Sequence, residues 1–150
     1  MVDRHGPTHI ARAEVEIDGE LVEGWSEIEL PSQTTEEGEY REGDDADYEK
    51  KIWGQTTFGT LTMERAIQSD DTKIWDWSQA VVQGNVGEAR KEVEITFQDG
   101  EGEPLVRWGF TEAWIQHYDP PGLDSTADDD MATERIVVAF DKMIREEPTG

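Results

Sequence analysis

Lys91-Glu92-Val93-Glu94-Ile95-Thr96-Phe97-Gln98 is followed by Asp99-Gly100-Glu101-Gly102 and then by Pro104–Phe110. In the first run Val93, Ile95 and Phe97 alternate with Glu92, Glu94 and Thr96, the period-two signature of a half-buried strand. The Gly-rich tetrapeptide is a turn, and Val106, Trp108 and Phe110 resume the alternation on one face. Strand, turn, strand, with one greasy and one wet face, describes an antiparallel sheet over a core.

The same grammar extends outward in both directions. Thr111–Tyr118 continues the second strand past an expected kink at Gly109, carrying Trp114 and Tyr118. Pro120-Pro121-Gly122 stops it, and residues up to Asp130 read as an acidic loop. Thr133–Met143 is a further strand, and Arg145–Gly150 a frayed tail. Towards the N-terminus, Ile10–Ile17 alternates Val15 and Ile17 with Glu14 and Glu16, and Asp18-Gly19 is a hairpin dipeptide. Leu21–Leu30, with Trp25 and Ile28, is its expected partner, ended by Pro31, which cannot donate to a sheet ladder. Thr57–Arg65 alternates again around Phe58, Leu61 and Met63.

One helix is expected, opening at Ser69-Asp70-Asp71. There a side-chain oxygen can cap orphan amides, and acidic groups suit the positive end of the helix dipole. Ile74, Trp77 and Val81, then Trp75, Ser78 and Val82, recur at helical spacing, which makes Ile74, Trp75, Trp77 and Val81 the expected core helix. Gly84 fits a left-handed C-terminal cap. The count is eight or nine strands and one helix, a mainly β (α+β) fold in a single domain. Its core spans about 10–143, with flexible termini at 1–9 and 144–150.

Composition narrows the chemistry. The 150 residues hold 36 Asp+Glu against 13 Lys+Arg, a formal net charge of −23, yet six Trp, four Phe and three Tyr argue for a packed interior. This charge disfavours tight binding to nucleic acid or to an anionic membrane. Three explanations for it compete: adaptation to high salt, mimicry of nucleic acid, or a wall that repels nucleic acid. The first is preferred, because screening shortens the Debye length to ~3 Å at 1 M salt. No apolar run approaches the ~20 residues of a membrane-spanning helix, and Met1–Ile10 lacks a signal-peptide core. The chain has no cysteine, so disulfides and thiolate metal sites are excluded.

No catalytic constellation emerges. His5 and His9 share i,i+4 spacing without a helical pattern, and Asp128-Asp129-Asp130 lacks the spaced ligands of a calcium loop. Ser26, Ser69 and Ser78 have no neighbouring His, and carboxylate pairs are too many for any one to stand out. No enzyme activity, metal or cofactor is expected. The unabsorbed feature is the polar excursion Ser32–Gly54, with Thr34–Glu42, a turn at Gly43–Asp47 and an extended Tyr48–Trp53. An excursion of that length is either a flexible surface loop or a contact element.

Several motifs in order carry a resemblance. Val15-Glu16-Ile17-Asp18-Gly19, Tyr40-Arg41-Glu42-Gly43, Phe58-Gly59-Thr60-Leu61-Thr62-Met63-Glu64-Arg65, Trp75-Asp76-Trp77 and Gly102-Glu103-Pro104 resemble the tail tube proteins of contractile phages. That family includes the inner-tube proteins of phage-tail-like contractile injection systems. Trp108-Gly109-Phe110 with Ala113-Trp114 adds to the likeness, which spans about Ile10 to Met143. The sequence departs from the pattern at Trp53-Gly54, Ala66-Ile67 and Ile115.

The resemblance implies two antiparallel sheets forming a barrel-like fold with one flanking helix, related to the haemolysin-coregulated tube protein of type VI secretion. It implies a structural subunit that forms homohexameric rings, stacked into a hollow conduit for DNA or effectors. Its partners would be further copies of itself, a contractile sheath protein, and baseplate, initiator and terminator proteins. The alternative is a tube initiator or tube–sheath adaptor of the same machine, and a remote one is an acidic nucleic-acid mimic. The protein would be made in the cytoplasm, of an extreme halophile, and built into a virion tail or a released injection particle. The excursion then supplies subunit and ring contacts, with Thr34, Glu39, Tyr40, Arg41, Glu42, Gly43, Tyr48, Lys50 and Trp53 as candidates. Glu14, Glu16, Glu92 and Glu94 are the candidates for a wet, lumen-facing wall, the alternative being a face turned outward to solvent.

Overall fold

Ten strands and two helices follow in chain order in the computed structural model, which describes residues 9–40, 50–122 and 132–147. They are β1 (Arg12–Ile17), β2 (Glu20–Val22), β3 (Trp25–Glu29), β4 (Gln33–Tyr40), β5 (Lys50–Phe58), β6 (Leu61–Ala66), α1 (Lys73–Val82), α2 (Val86–Ala89), β7 (Lys91–Gln98), β8 (Pro104–Asp119), β9 (Thr133–Ala139) and β10 (Lys142–Glu146). Eight strands form one antiparallel path, β2-β1-β7-β8-β9-β6-β3, with β10 also on β8; β4 and β5 form a separate two-stranded ribbon.

The hinge of the fold is β8. Its first half pairs with β7 and β10, and its second half, Trp114–Asp119, pairs with β9. Between them Glu112 adopts a left-handed φ of 52°, which turns the strand from one wing of the sheet to the other. The kink therefore falls three residues beyond Gly109, which the sequence reading had favoured. At Gly109 a Cβ would meet a Glu146 carboxylate oxygen at 3.0 Å, a contact that the flexible end of the Glu146 side chain can relieve by a small shift.

Two expected strands are each two strands. Leu21–Leu30 breaks at Gly24, whose φ is 95°; β2 stays beside β1 while β3 crosses to pair with β6. The two ends of the sheet path thus meet in sequence at Glu23–Gly24 without pairing, giving a barrel-like but unclosed sheet. Thr57–Arg65 likewise breaks after Phe58, where β5 leaves the ribbon and β6 enters the core wing. Thr133–Met143 divides into β9 and β10. Residues 144–146 are paired to β8 rather than frayed, correcting the expected tail. The Asp18-Gly19 hairpin forms as read, both residues left-handed (φ 51° and 78°) and Ile17 opposite Glu20.

The inner faces of both wings close on Val15, Leu61, Met63, Val93, Ile95, Phe110, Ile136 and Val138, all without solvent exposure. Helix α1 covers this core with Ile74 and Trp77, whose indole N–H donates to the Ala89 carbonyl at 2.7 Å and holds the unforeseen α2 in place. Trp75 departs from the expected core helix: it is 47% exposed and packs edge-on against Tyr118, and Val81 is half-buried. The helix starts at Lys73 after Thr72, whose side chain makes no capping bond; Asp71, one residue earlier, accepts the Lys73 amide at 3.0 Å. At the other end the Gly84 and Asn85 amides bond back to the Val81 and Ala80 carbonyls, closing a Schellman motif on a left-handed Gly84.

Candidate functional site

Two surfaces and one buried cluster emerge from this arrangement.

The β4–β5 ribbon stands off the sheet. From Gln33 to Glu37 and from Ile52 to Thr57 every side chain is exposed, so the ribbon has no core of its own. It is held by its own ladder, by a 2.8 Å contact between the Thr35 and Thr56 hydroxyls, and at its root. There the Gly59 amide donates to the Ser32 carbonyl, and Phe58 packs on Phe140, which packs on the buried Phe110. Of the candidate contact residues, Thr34 lies opposite Thr57 and Trp53 opposite Glu37, with Trp53 83% exposed. Tyr40 pairs with Lys50 and Glu39 with Lys51 in register. Arg41, Glu42, Gly43 and Tyr48 lie outside the described residues, as do His5 and Asp128–Asp130.

The second surface is the wet face of β1, β7, β8 and β10. Because Val15, Ile17, Val93 and Ile95 turn inward, Glu14, Glu16, Glu92 and Glu94 all lie on the opposite face, Glu16 directly across from Glu94. Arg107, one step out of phase with Val106 and Trp108, rises into this carboxylate field. It bonds Glu94 and lies 3.4 Å from Glu146 and 3.7 Å from Glu16. The Glu94 carboxylate, helped by Glu146 and Glu16, holds the guanidinium still more firmly protonated, against the opposing effect of partial burial. Glu92 closes the field at the bend, accepting from the Glu112 amide.

The third feature was not singled out from the sequence. Arg65 is fully buried, two residues beyond Met63 on the inward face of β6, and Glu134 sits opposite it on β9. Their side chains meet at 2.8 Å; Arg65 also bonds Asp71 at 2.9 Å and the Glu23 carbonyl at 3.3 Å, beneath the Trp25 ring. The Tyr118 hydroxyl donates to Glu134 at 2.7 Å. Bonding to Arg65 holds the Asp71 carboxyl below its ordinary range. Burial, and then the Glu134 carboxylate, push the Tyr118 phenol up to about 12. The signal was available: the same alternation that buries Met63 and Ile136 places Arg65 and Glu134 inside. This cluster ties α1, β3, β6, β8 and β9 together and is structural.

Among the described residues no group of three or more His, Asp or Glu is arranged to hold a metal ion. No described helix is long and apolar enough to cross a membrane.

Comparison with known proteins agrees with the geometry. Residues 12–144 match the family described as T4-like virus tail tube protein gp19. Among solved structures, the sheath/tube terminator of the extracellular contractile injection system PVC superposes with a TM-score of 0.82 at 21% identity, covering 97% of this chain and all of that one. The sheath–tube complex of the same system gives 0.81 at 22% identity, covering 95% and 93%. Hcp1 from Flavobacterium johnsoniae is a more distant likeness, 0.56 at 16% identity over 89% and 93%. No protein with a curated description is similar in sequence.

Proposed function

The chain belongs to the T4-like virus tail tube protein family, and from that premise we propose that it builds the inner tube of a contractile tail or injection particle, six copies to a ring. The match over residues 12–144 carries this reading. The geometry suits it: β3 and β10 are edge strands with open hydrogen-bonding sides, and ring closure would cover them. The β4–β5 ribbon, exposed on every described face apart from its root, is the element for contacts to neighbouring copies and the next ring, through Thr34, Glu39, Tyr40, Lys50 and Trp53. The Glu14, Glu16, Glu92 and Glu94 face is the lumen wall, whose charge would repel a DNA or acidic protein cargo.

On this reading the partners are further copies, a sheath protein, and baseplate, initiator and terminator proteins. The site of action is the assembled particle, and the work is mechanical, with no catalysis and no cofactor. The net charge of −23 makes ring stacking favour concentrated salt, as in a halophile's cytoplasm. Negative-stain microscopy and sedimentation of the purified chain at molar and at low salt test the reading. Hollow tubes or six-membered rings at molar salt, dissociating on desalting, are expected; monomers under both conditions would overturn it. A tube-terminating copy is the second reading, since the PVC terminator and the PVC sheath–tube complex superpose equally well, at 0.82 and 0.81. Rings that never stack would select it.

A further inference from the structure

A recess of about 230 Å³ lies between the β1–β2 hairpin, α1, α2 and the start of β7. Ile17, Val22, Ile74, Trp77 and Ala80 form its floor, each less than a tenth exposed. The floor is pre-formed. The Trp77 indole N–H is already given to the Ala89 carbonyl at 2.7 Å, so these side chains offer a ligand apolar surface only. The rim is charged, and its charges do not balance: Asp18, Glu20, Asp76 and Glu88 stand against Lys73 and Lys91. Lys73 pairs with Glu20 at 3.3 Å, from α1 to β2, and Lys91 pairs with Asp18 at 3.6 Å. Asp76 takes only the Thr72 hydroxyl, at 3.0 Å, and the Glu88 carboxylate has no partner among the described residues. Two uncompensated negative charges therefore border an apolar pit.

We propose that this recess binds a small organic cation, an ammonium group carried on an arylalkyl body. The floor takes the body, since a wall without free donors or acceptors would leave the polar groups of a hydrophilic ligand unpaired. Charge selects the head group. An ammonium at the rim is attracted by the two spare carboxylates, and a carboxylate of the same shape is repelled by them. Both lysines are already engaged by Glu20 and Asp18, so no cation is left for an anion. A hard metal ion is a poor occupant, because the floor side chains supply no oxygen and no metal-holding group occurs among the described residues. Size selects the body. A dry cavity of about 150 Å³ accepts benzene, and the larger recess leaves room for a short arm that carries the ammonium to the rim. The site lies within one chain and holds whether or not copies assemble.

The test titrates the isotopically labelled full-length chain, at neutral pH and low salt, with 2-phenylethylamine, 2-phenylethanol and 3-phenylpropionate, which share a shape and differ in charge. NMR follows the Val22 and Ile74 methyl signals and the Trp77 indole signal. The amine is expected to shift all three and to bind about tenfold tighter than the alcohol, with the carboxylate weaker still. Molar salt should bring the amine towards the alcohol by screening. Asp76→Asn and Glu88→Gln, both at exposed positions, should each weaken the amine severalfold and leave the alcohol unchanged. Equal affinity for amine and alcohol, or an amine affinity that neither variant changes, overturns the cationic ligand. No shift at Val22, Ile74 and Trp77 with any probe overturns the site. Shifts centred on Trp75 and Tyr118 place the ligand in the recess between α1 and β8 and overturn it as well. n-Butylamine, the lysine side chain in free form, binding as tightly as 2-phenylethylamine would overturn the arylalkyl body in favour of a partner protein's lysine.

Discussion

Arg65 and Glu134 stand directly opposite each other on β6 and β9, joined at 2.8 Å in an interior otherwise built of Leu61, Met63, Ile136 and Val138. A buried ion pair is not by itself a strong source of stability, since both charges lose their hydration. Its value here is positional: Arg65 also holds Asp71, which accepts the first amide of α1, and Glu134 also holds Tyr118 beyond the bend of β8. One charge cluster thereby sets where the helix lies on the second wing.

Removing one partner leaves the others buried and uncompensated. Arg65→Met is expected to cost about 3–5 kcal/mol, which for a domain of this size lowers the melting temperature by about 10 °C. The double variant Arg65→Met/Glu134→Gln removes the stranded charge while keeping an acceptor for Tyr118. It should be more stable than Arg65→Met alone. Thermal melts of the single and double variants at molar salt measure the difference. A double variant as unstable as the sum of the singles would show that the residues are not coupled.

The same cluster gives stability a characteristic dependence on pH. Tyr118 has a folded pKa raised to about 12 from its ordinary 10.0. The protonated phenol is therefore favoured by folding; its contribution is complete below about pH 10 and is lost as pH rises towards 12. Asp71 has its folded pKa lowered from 3.8, so its contribution is present above about that pH and is lost as acid protonates it. Tyr118→Phe should remove the extra alkaline loss, and Asp71→Asn the extra acid loss, each leaving the other limb unchanged. Denaturant melts from pH 3 to 11, compared with the parent chain, read both limbs.

Local grammar made the strands legible, and long-range pairing decided what it could not show. The β1–β2 register followed from Asp18-Gly19, and β7 ran over the full alternating span Lys91–Gln98. The wet Glu face was readable for the same reason, because period two fixes the side of every carboxylate once Val93 and Ile95 are inside. Gly24 is a visible breaker, but that β3 crosses to β6 depends on partners 33–40 residues away in sequence. Gly109 advertises freedom in the sequence, whereas the bend of β8 falls at Glu112, where the pairing passes from β7 to β9. Spacing alone places Trp75 in the core. The arc that α1 buries is narrower, and Trp75 lies on its margin against Tyr118.

Gly84 isolates a backbone effect. Its φ is 71°, and a Cβ there would have no neighbour within 4 Å. Gly84→Ala should thus cost only the left-handed penalty, roughly 1–2 kcal/mol. Gly84→Asn should cost less, because Asn tolerates this conformation. Melting temperatures ordered Gly84, Asn, Ala from highest to lowest check it; Ala equal to Gly would mean that the Schellman turn gives way without cost.

Arg107 is the electrostatic counterpart on the wet face. It is the cation that Glu16, Glu94 and Glu146 converge on, so Arg107→Gln leaves three carboxylates facing one another across β1, β7 and β10. Their repulsion is partly exposed to solvent and is screened by salt. The variant should lose stability at low ionic strength, by about 1 kcal/mol or more, and recover most of it at molar salt. Arg107→Lys should recover less than a full rescue, since a point ammonium cannot span three acceptors as the planar guanidinium fork does. Denaturant titrations of parent and both variants at two salt concentrations test this. A loss in Arg107→Gln that is the same at both would assign Arg107 a packing role, through its aliphatic stem, in place of the electrostatic one.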